Sequence, residues 1–253
     1  MIRTTPLALC AALGLCAVGL PVQAQKPFAS LQLPGGSRVG VINLVDAEVT
    51  HFHFAAHLEN SYLKTYTLTW SVSAMLVAAV HDPLGQQALV LVPLAPSDEL
   101  VRARERCFLN ASLAKGLPQD CVPLYAHLAA AEHLSAVIAL GPGRNDSTHA
   151  GSARHKELPE YLRGFSFVTG EGAPDSAPML LDLTEMVLVR VDPESAQLID
   201  REWGGNGMSW SEFRAPADLK AIPGAQLDQL QSLYAAMLKH QADGLLAHLS
   251  VAR

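Results

Sequence analysis

Three short, nearly continuous apolar runs constrain this chain more than anything else in it. They occupy residues 38–45, 88–94 and 135–140. Runs of this length, bounded by turn residues, suit strands buried on both faces. Patterns of helical period lie between them. Val72, Met75, Leu76, Ala79 and Val80 form one stripe over residues 70–80, with Thr69 or Ser71 as the cap. Ser97 caps a second helix whose first turn holds Asp98 and Glu99, where acids favour the helix dipole. Pro118, with Asp120 beside it, suits the first turn of a third, which carries Cys121, Leu124, Tyr125 and Leu128 on one face.

The pattern changes after residue 161. Residues 164–169 read as a strand. Over 179–191 the chain alternates: Leu181, Leu183, Val187, Val189 and Val191 point one way, and Asp182, Thr184 and Arg190 the other. That is period two, as in a sheet with one wet face. Asp192, Pro193, Glu194 and Ser195 supply turn chemistry, and residues 197–203 return as the partner strand. A loop rich in Gly and Trp follows. Its Trp203, Trp210 and Phe213 serve either as packing residues or as a platform for a sugar or peptide. The chain ends in a long helix with Leu227, Leu230, Tyr234, Met237, Leu238, Leu245 and Leu249 on its apolar face.

Strands alternating with helices imply an α/β fold. The expectation is a mixed, mostly parallel sheet with an antiparallel hairpin, helices packed on the sheet and a long C-terminal helix. No repeat and no clear linker interrupts residues 38–253, which read as a single domain after an entry segment at 25–37.

Residues 1–24 have the order of a cleavable secretion signal. Arg3 is the lone charge before an apolar stretch over 7–20, and Val22 and Ala24 fill the small-residue positions of a cleavage site after Ala24. The stretch is short for a bilayer span, which needs about 20 residues. No later segment is long and apolar enough to serve as a transmembrane segment. The expected location is therefore periplasmic. The whole chain carries a formal net charge of −6, with no basic stripe, which argues against nucleic acid as a partner. Of the four cysteines, Cys10 and Cys16 leave with the signal. Cys107 and Cys121 remain as an even pair in an oxidising compartment, near helix faces that can meet. A disulfide bond between them is expected; two buried free thiols are the alternative.

The order of elements resembles the α/β domain shared by the amino-terminal domain of TolB and the curli-assembly lipoprotein CsgG. The matching features are the opening apolar strand at 39–45 and the later strands at 89–94 and 136–140. A long strand then ends in the acidic turn Asp192, Pro193, Glu194 before its partner, and an amphipathic terminal helix follows. The chain departs from the curli protein in lacking its lipidation cysteine and any long amphipathic strands that could build a pore. The resemblance implies an envelope-assembly or binding role without catalysis, and it carries no catalytic residue across.

Two clusters stand out as candidate sites. His51, His53 and His57 fall within seven residues. In an extended chain His51 and His53 share a face, and in a helix His53 and His57 do. Either pair has ligand spacing for zinc or another divalent transition metal, with Asp46 or Glu59 as an added carboxylate. The second cluster follows the 135–140 strand and includes Arg144, Asn145, Asp146, His149 and His155. Ligands in open α/β sheets sit beyond the carboxyl ends of parallel strands, and Gly141 and Gly143 could admit an anion to backbone amides. The first strand ends near Asp46, so the two clusters could share one rim. Ser166 opens like a nucleophile elbow, but the closing Gly is missing. The reading is an exported binding or envelope-assembly accessory, without catalysis and without a cofactor, whose partner is an envelope protein or a small ligand. A His-ligated, metal-dependent periplasmic hydrolase is the alternative.

Overall fold

The computed structural model describes residues 30–55, 57–143, 162–170, 178–204 and 207–252. The expected signal at 1–24, residues 25–29 of the entry segment, and Arg144, Asn145, Asp146, His149 and His155 lie outside the described residues. The strands are β1 (Leu31–Leu33), β2 (Arg38–Asn43), β3 (Glu48–Phe54), β4 (Tyr62–Thr67), β5 (Val90–Leu94), β6 (Ala136–Pro142), β7 (Gly164–Gly170), β8 (Met179–Val191), β9 (Ala196–Trp203), β10 (Gly207–Ser209) and β11 (Leu249–Val251). The helices are α1 (Val72–Gln86), α2 (Asp98–Leu109), α3 (Val122–Glu132) and α4 (Gly224–Leu246).

The class is the expected one, a mixed α/β fold with a long C-terminal helix. The main sheet runs β4-β3-β7-β8-β6-β2-β5, with β9 and β10 also paired to β8. Pairings of β2 with β5 and β6, and of β3 with β7, are parallel. Every pairing of β8 is antiparallel, so the parallel share is smaller than the alternation of strands and helices suggests. β8 is long enough to be the spine of the sheet. Its first residues pair with β7 and β10, and the remainder pairs with β6 and β9.

This position corrects the expected wet face of β8. Asp182 and Thr184 are fully buried, and of the polar trio only Arg190 reaches solvent. The reason is α4, whose Leu230, Tyr234, Leu238 and Leu245 join Leu180, Met186 and Leu188 of β8 in one core with α1. The opposite face of β8 packs Val187, Val189 and Val191 under α2 and α3. β2 and β6 are buried as their apolar runs imply. β5 is not: it is an edge strand, and Val90 is left exposed.

Caps fix the helix starts. Ser71 Oγ accepts from Ala74 N at 3.2 Å, and Ser97 Oγ accepts from Leu100 N at 3.2 Å. The α3 start differs from expectation. Pro118 sits in the preceding turn, where its carbonyl accepts from Cys121 N at 2.9 Å, and Pro123 occupies the first turn of the helix. Cys107 of α2 is bonded to Cys121 at the head of α3, with Cα atoms 5.7 Å apart, as expected. β1 pairs in parallel with β11 in a separate small sheet, which clasps one end of the described chain to the other. Among the described residues no helix is long and apolar enough to cross a membrane.

Candidate functional site

The carboxyl ends of β2 and β6 open onto a small cleft lined by residues distant in sequence. At the end of β2, Asn43 folds the chain back on itself: its side chain accepts from Val45 N and donates to Val45 O, both at 3.0 Å. Leu44 N is held by Leu140 O at 2.7 Å, which ties this turn to β6. The turn presents Asp46 to Arg104 of α2. Arg104 Nη1 donates to Asp46 Oδ1 at 2.7 Å, and Nη2 donates to Oδ2 at 2.6 Å. A third bond, at 3.3 Å, goes to the Leu44 carbonyl. The hydrogen bonds to Asp46 hold the guanidinium above its ordinary range, against an opposing effect of partial burial.

The cleft measures about 100 Å³, and Glu48, Thr50, Glu105, Pro142, Arg163 and Gly164 complete its lining. Gly164 has φ +68, in the left-handed region that favours glycine, and its missing side chain faces Val45. Arg104 is occupied by Asp46. The side chains of Glu48 and Glu105 make no hydrogen bond or ion pair among the described residues, although both act electrostatically on Arg104. The cleft thus holds three carboxylates, Asp46, Glu48 and Glu105, against two guanidiniums, Arg104 and Arg163.

The structure brings Asp46 and Pro142, the strand end that leads into the second candidate segment, to one rim, but not the histidines. Glu48 and Thr50 face the cleft, whereas His51 and His53 belong to the alternate residues of β3 and project from the other face. The two glycines also have another duty than admitting an anion. A Cβ at Gly141 would stand 2.4 Å from the Phe108 ring, and one at Gly143 would stand 2.8 Å from the Thr184 carbonyl. The Gly143 amide is already committed to Leu183 O at 2.9 Å.

β3 is extended, so His51 and His53 do share a face, and both converge on Thr169 of β7. Thr169 Oγ1 lies 2.7 Å from His51 Nε2 and 2.7 Å from His53 Nδ1. A hydroxyl has one proton, so Thr169 donates to one imidazole and accepts from the other. The His51 ring stacks on Phe167 with centroids 4.4 Å apart, and its Nδ1 is buried without a partner. Burial, the neighbouring His53 and Lys64 together lower its pKa to about 3, so it is neutral. β4 adds Tyr62 and Tyr66 to the same face. Burial first, then Tyr66 and Asp218, raise Tyr62 to about 12. The Lys220 ammonium lies 4.9 Å from the Tyr62 ring centroid, and Tyr66 donates to the Lys220 carbonyl at 3.1 Å.

His57 does not join this pair. Its side chain is 77% exposed and lies 3.9 Å from Glu59. Among the described residues no three His, Cys, Asp or Glu side chains gather where they could hold a metal ion. The expected triad of His51, His53 and His57 is thus a packed pair plus a surface residue. Ser166 is fully buried in β7, which removes it as a nucleophile. Trp210 is buried, with its ring centroid 5.6 Å from Phe167 and 4.9 Å from Phe213, so it is a packing residue rather than a platform.

Sequence reasoning missed Arg104, Glu48 and Glu105, which sit on ordinary-looking helix and strand positions. It also missed Thr169, the partner both histidines use. No local signal marks them, because the fold assembles them from separate elements.

No family model and no curated protein matches this chain. Among solved structures, the hypothetical protein CT253 from Chlamydia trachomatis aligns over 84% of this chain and 95% of its own, at 11% identity and a TM-score of 0.39. A likeness this slight says nothing about function.

Proposed function

We propose that this protein is exported, loses residues 1–24, and works in the periplasm as a binding or assembly accessory of the cell envelope, without catalysis. The observation that carries the reading is the cleft at the carboxyl ends of β2 and β6, where parallel strands of α/β folds ordinarily receive ligands. Its three carboxylates, Asp46, Glu48 and Glu105, outnumber the Arg104 and Arg163 guanidiniums, and Arg104 is held by Asp46, so it suits a positively charged group on a small ligand or partner. The tripartite amino terminus and the Cys107–Cys121 bridge support an oxidising compartment. The resemblance of the sequence's element order to the TolB and CsgG domains supports an envelope role.

The test is thermal unfolding of the mature protein with spermidine, a lysine-rich peptide, or a glutamate-rich peptide as control. Spermidine or the lysine-rich peptide should raise the melting temperature, and Glu48→Gln with Glu105→Gln should abolish the shift. Equal shifts in wild type and the double variant, or none with either cation, would defeat the cleft as the binding site. Mass spectrometry of protein exported by a bacterial host should find Gln25 first; an intact Met1 would defeat the export reading.

A further inference from the structure

Asp182 is the oddest group in the core. It is fully buried in the first part of β8, and among the described residues its Oδ2 has no partner. Its Oδ1 accepts from Thr184 N at 3.0 Å and from Thr184 Oγ1 at 2.6 Å, so only one oxygen is provided for. A lone buried carboxylate of this kind calls for an explanation.

Among the described residues the groups around it supply no cation. On its own strand there is Thr184. On β7 its register partner is Phe165. On α4, Gln241 is uncharged, with Oε1 3.4 Å from Thr184 Oγ1, and Tyr234 is a neutral phenol that donates to the Ser166 carbonyl and is itself pushed up by burial and by Asp182. On β9, the Glu202 carboxyl packs toward Gly244 of α4. The last cover is Gly204, directly after β9. A Cβ there would stand 2.4 Å from Asp182 Cγ, so bare backbone lies against the carboxyl group. The Gly204 N–H holds this cover down by donating to the Thr184 carbonyl at 3.0 Å.

We propose that Asp182 is a proton-binding switch that sets how firmly Gly204 and the end of β9 close on β8. Protonated, Asp182 is a neutral group that the core accommodates. Ionised, its bare Oδ2 is solvated only when a cover withdraws. Phe165 and Tyr234 are side chains locked in the core, whereas Gly204 contributes only backbone. Burial raises the Asp182 pKa from 3.8 to about 6, against the Thr184 bonds that lower it. A group raised in the closed form favours that form in acid, and the advantage is lost as pH rises through about 6.

The test is NMR hydrogen exchange of the Gly204 amide in the mature protein at pH 5 and pH 7.5, corrected for intrinsic exchange. Protection should fall about tenfold from the lower pH to the higher, levelling off above about pH 6. Asp182→Asn should be equally protected at both. A flat wild-type profile, or the same pH dependence in Asp182→Asn, would overturn the proposal. If Asp182→Asn does not fold, Asp182→Leu replaces it, and the wild-type profile decides on its own.

Discussion

Asp46 and Arg104 meet in a two-pronged ion pair that joins the β2–β3 connection to α2, with contacts of 2.7 and 2.6 Å. Two parallel bonds from one guanidinium need the planar fork of arginine, which a lysine ammonium cannot reproduce. The pair is partly exposed, so water and salt screen it. Arg104→Lys should cost about 1 kcal/mol in urea unfolding, less at high salt. An unchanged urea midpoint would mean that the pair positions the cleft without contributing to stability.

The Cys107–Cys121 bridge closes a loop with a sequence separation of 14 residues and sits in the core under α2 and α3. Cross-linking a loop of that size restricts the unfolded chain by about 3 kcal/mol in the chain-entropy account. Replacing both cysteines by Ala should lower unfolding free energy by about that amount in denaturant titration. Two reactive thiols in unreduced, denatured protein would show that the bond does not form.

His51 should make the protein acid-sensitive. Its pKa is near 3 in the folded state and 6.5 as an exposed group. The unfolded chain therefore binds the extra proton, so this group's stability term is complete above about pH 6.5 and drains as pH falls toward 3. Between pH 7 and pH 4.5 the wild type should lose about 2–3 kcal/mol more than His51→Phe, whose ring can keep the stack on Phe167. Equal losses would show that His51 is not held neutral. The same geometry predicts that zinc leaves the melting temperature unchanged, because Thr169 already engages both histidines. A zinc shift abolished by His51→Ala with His53→Ala would restore the pair as ligands.

What the sequence reveals and what it hides divide along the range of the interactions. The β2 and β6 runs are legible because a strand buried on both faces must be apolar throughout, and the helices because their caps and stripes are local. Asp182 and Thr184 read as a wet face because alternation records polarity, not what packs above it. α4, more than forty residues later, provides the cover. β4 has no apolar signature because it is a mostly exposed edge, and β1, β10 and β11 are only three residues each. The histidine pair was visible as a spacing, but its partner Thr169 lies 116 residues from His53. The cleft gathers the turn at 44–46, the start of β3, α2 and the flanks of β6 and β7, a set that no local pattern can announce.

Gly141 offers the sharpest test of packing against ligand binding. A Cβ there would stand 2.4 to 2.6 Å from three atoms of the Phe108 ring, closer than side-chain carbons come. Both residues are buried at the α2–β6 contact, so neither can give way into solvent. Gly141→Ala should therefore cost about 1–3 kcal/mol through overpacking, whether or not a ligand is present. Phe108→Leu alone should also destabilise, by leaving space in the core. Combined, the two changes should cost less than the sum of their separate effects, because the smaller side chain relieves the clash. Urea unfolding of the four proteins in this cycle measures the coupling. Additive losses would mean that Gly141 and Phe108 do not press on each other, and a Gly141→Ala protein of full stability that loses only ligand affinity would return the glycine to the binding site.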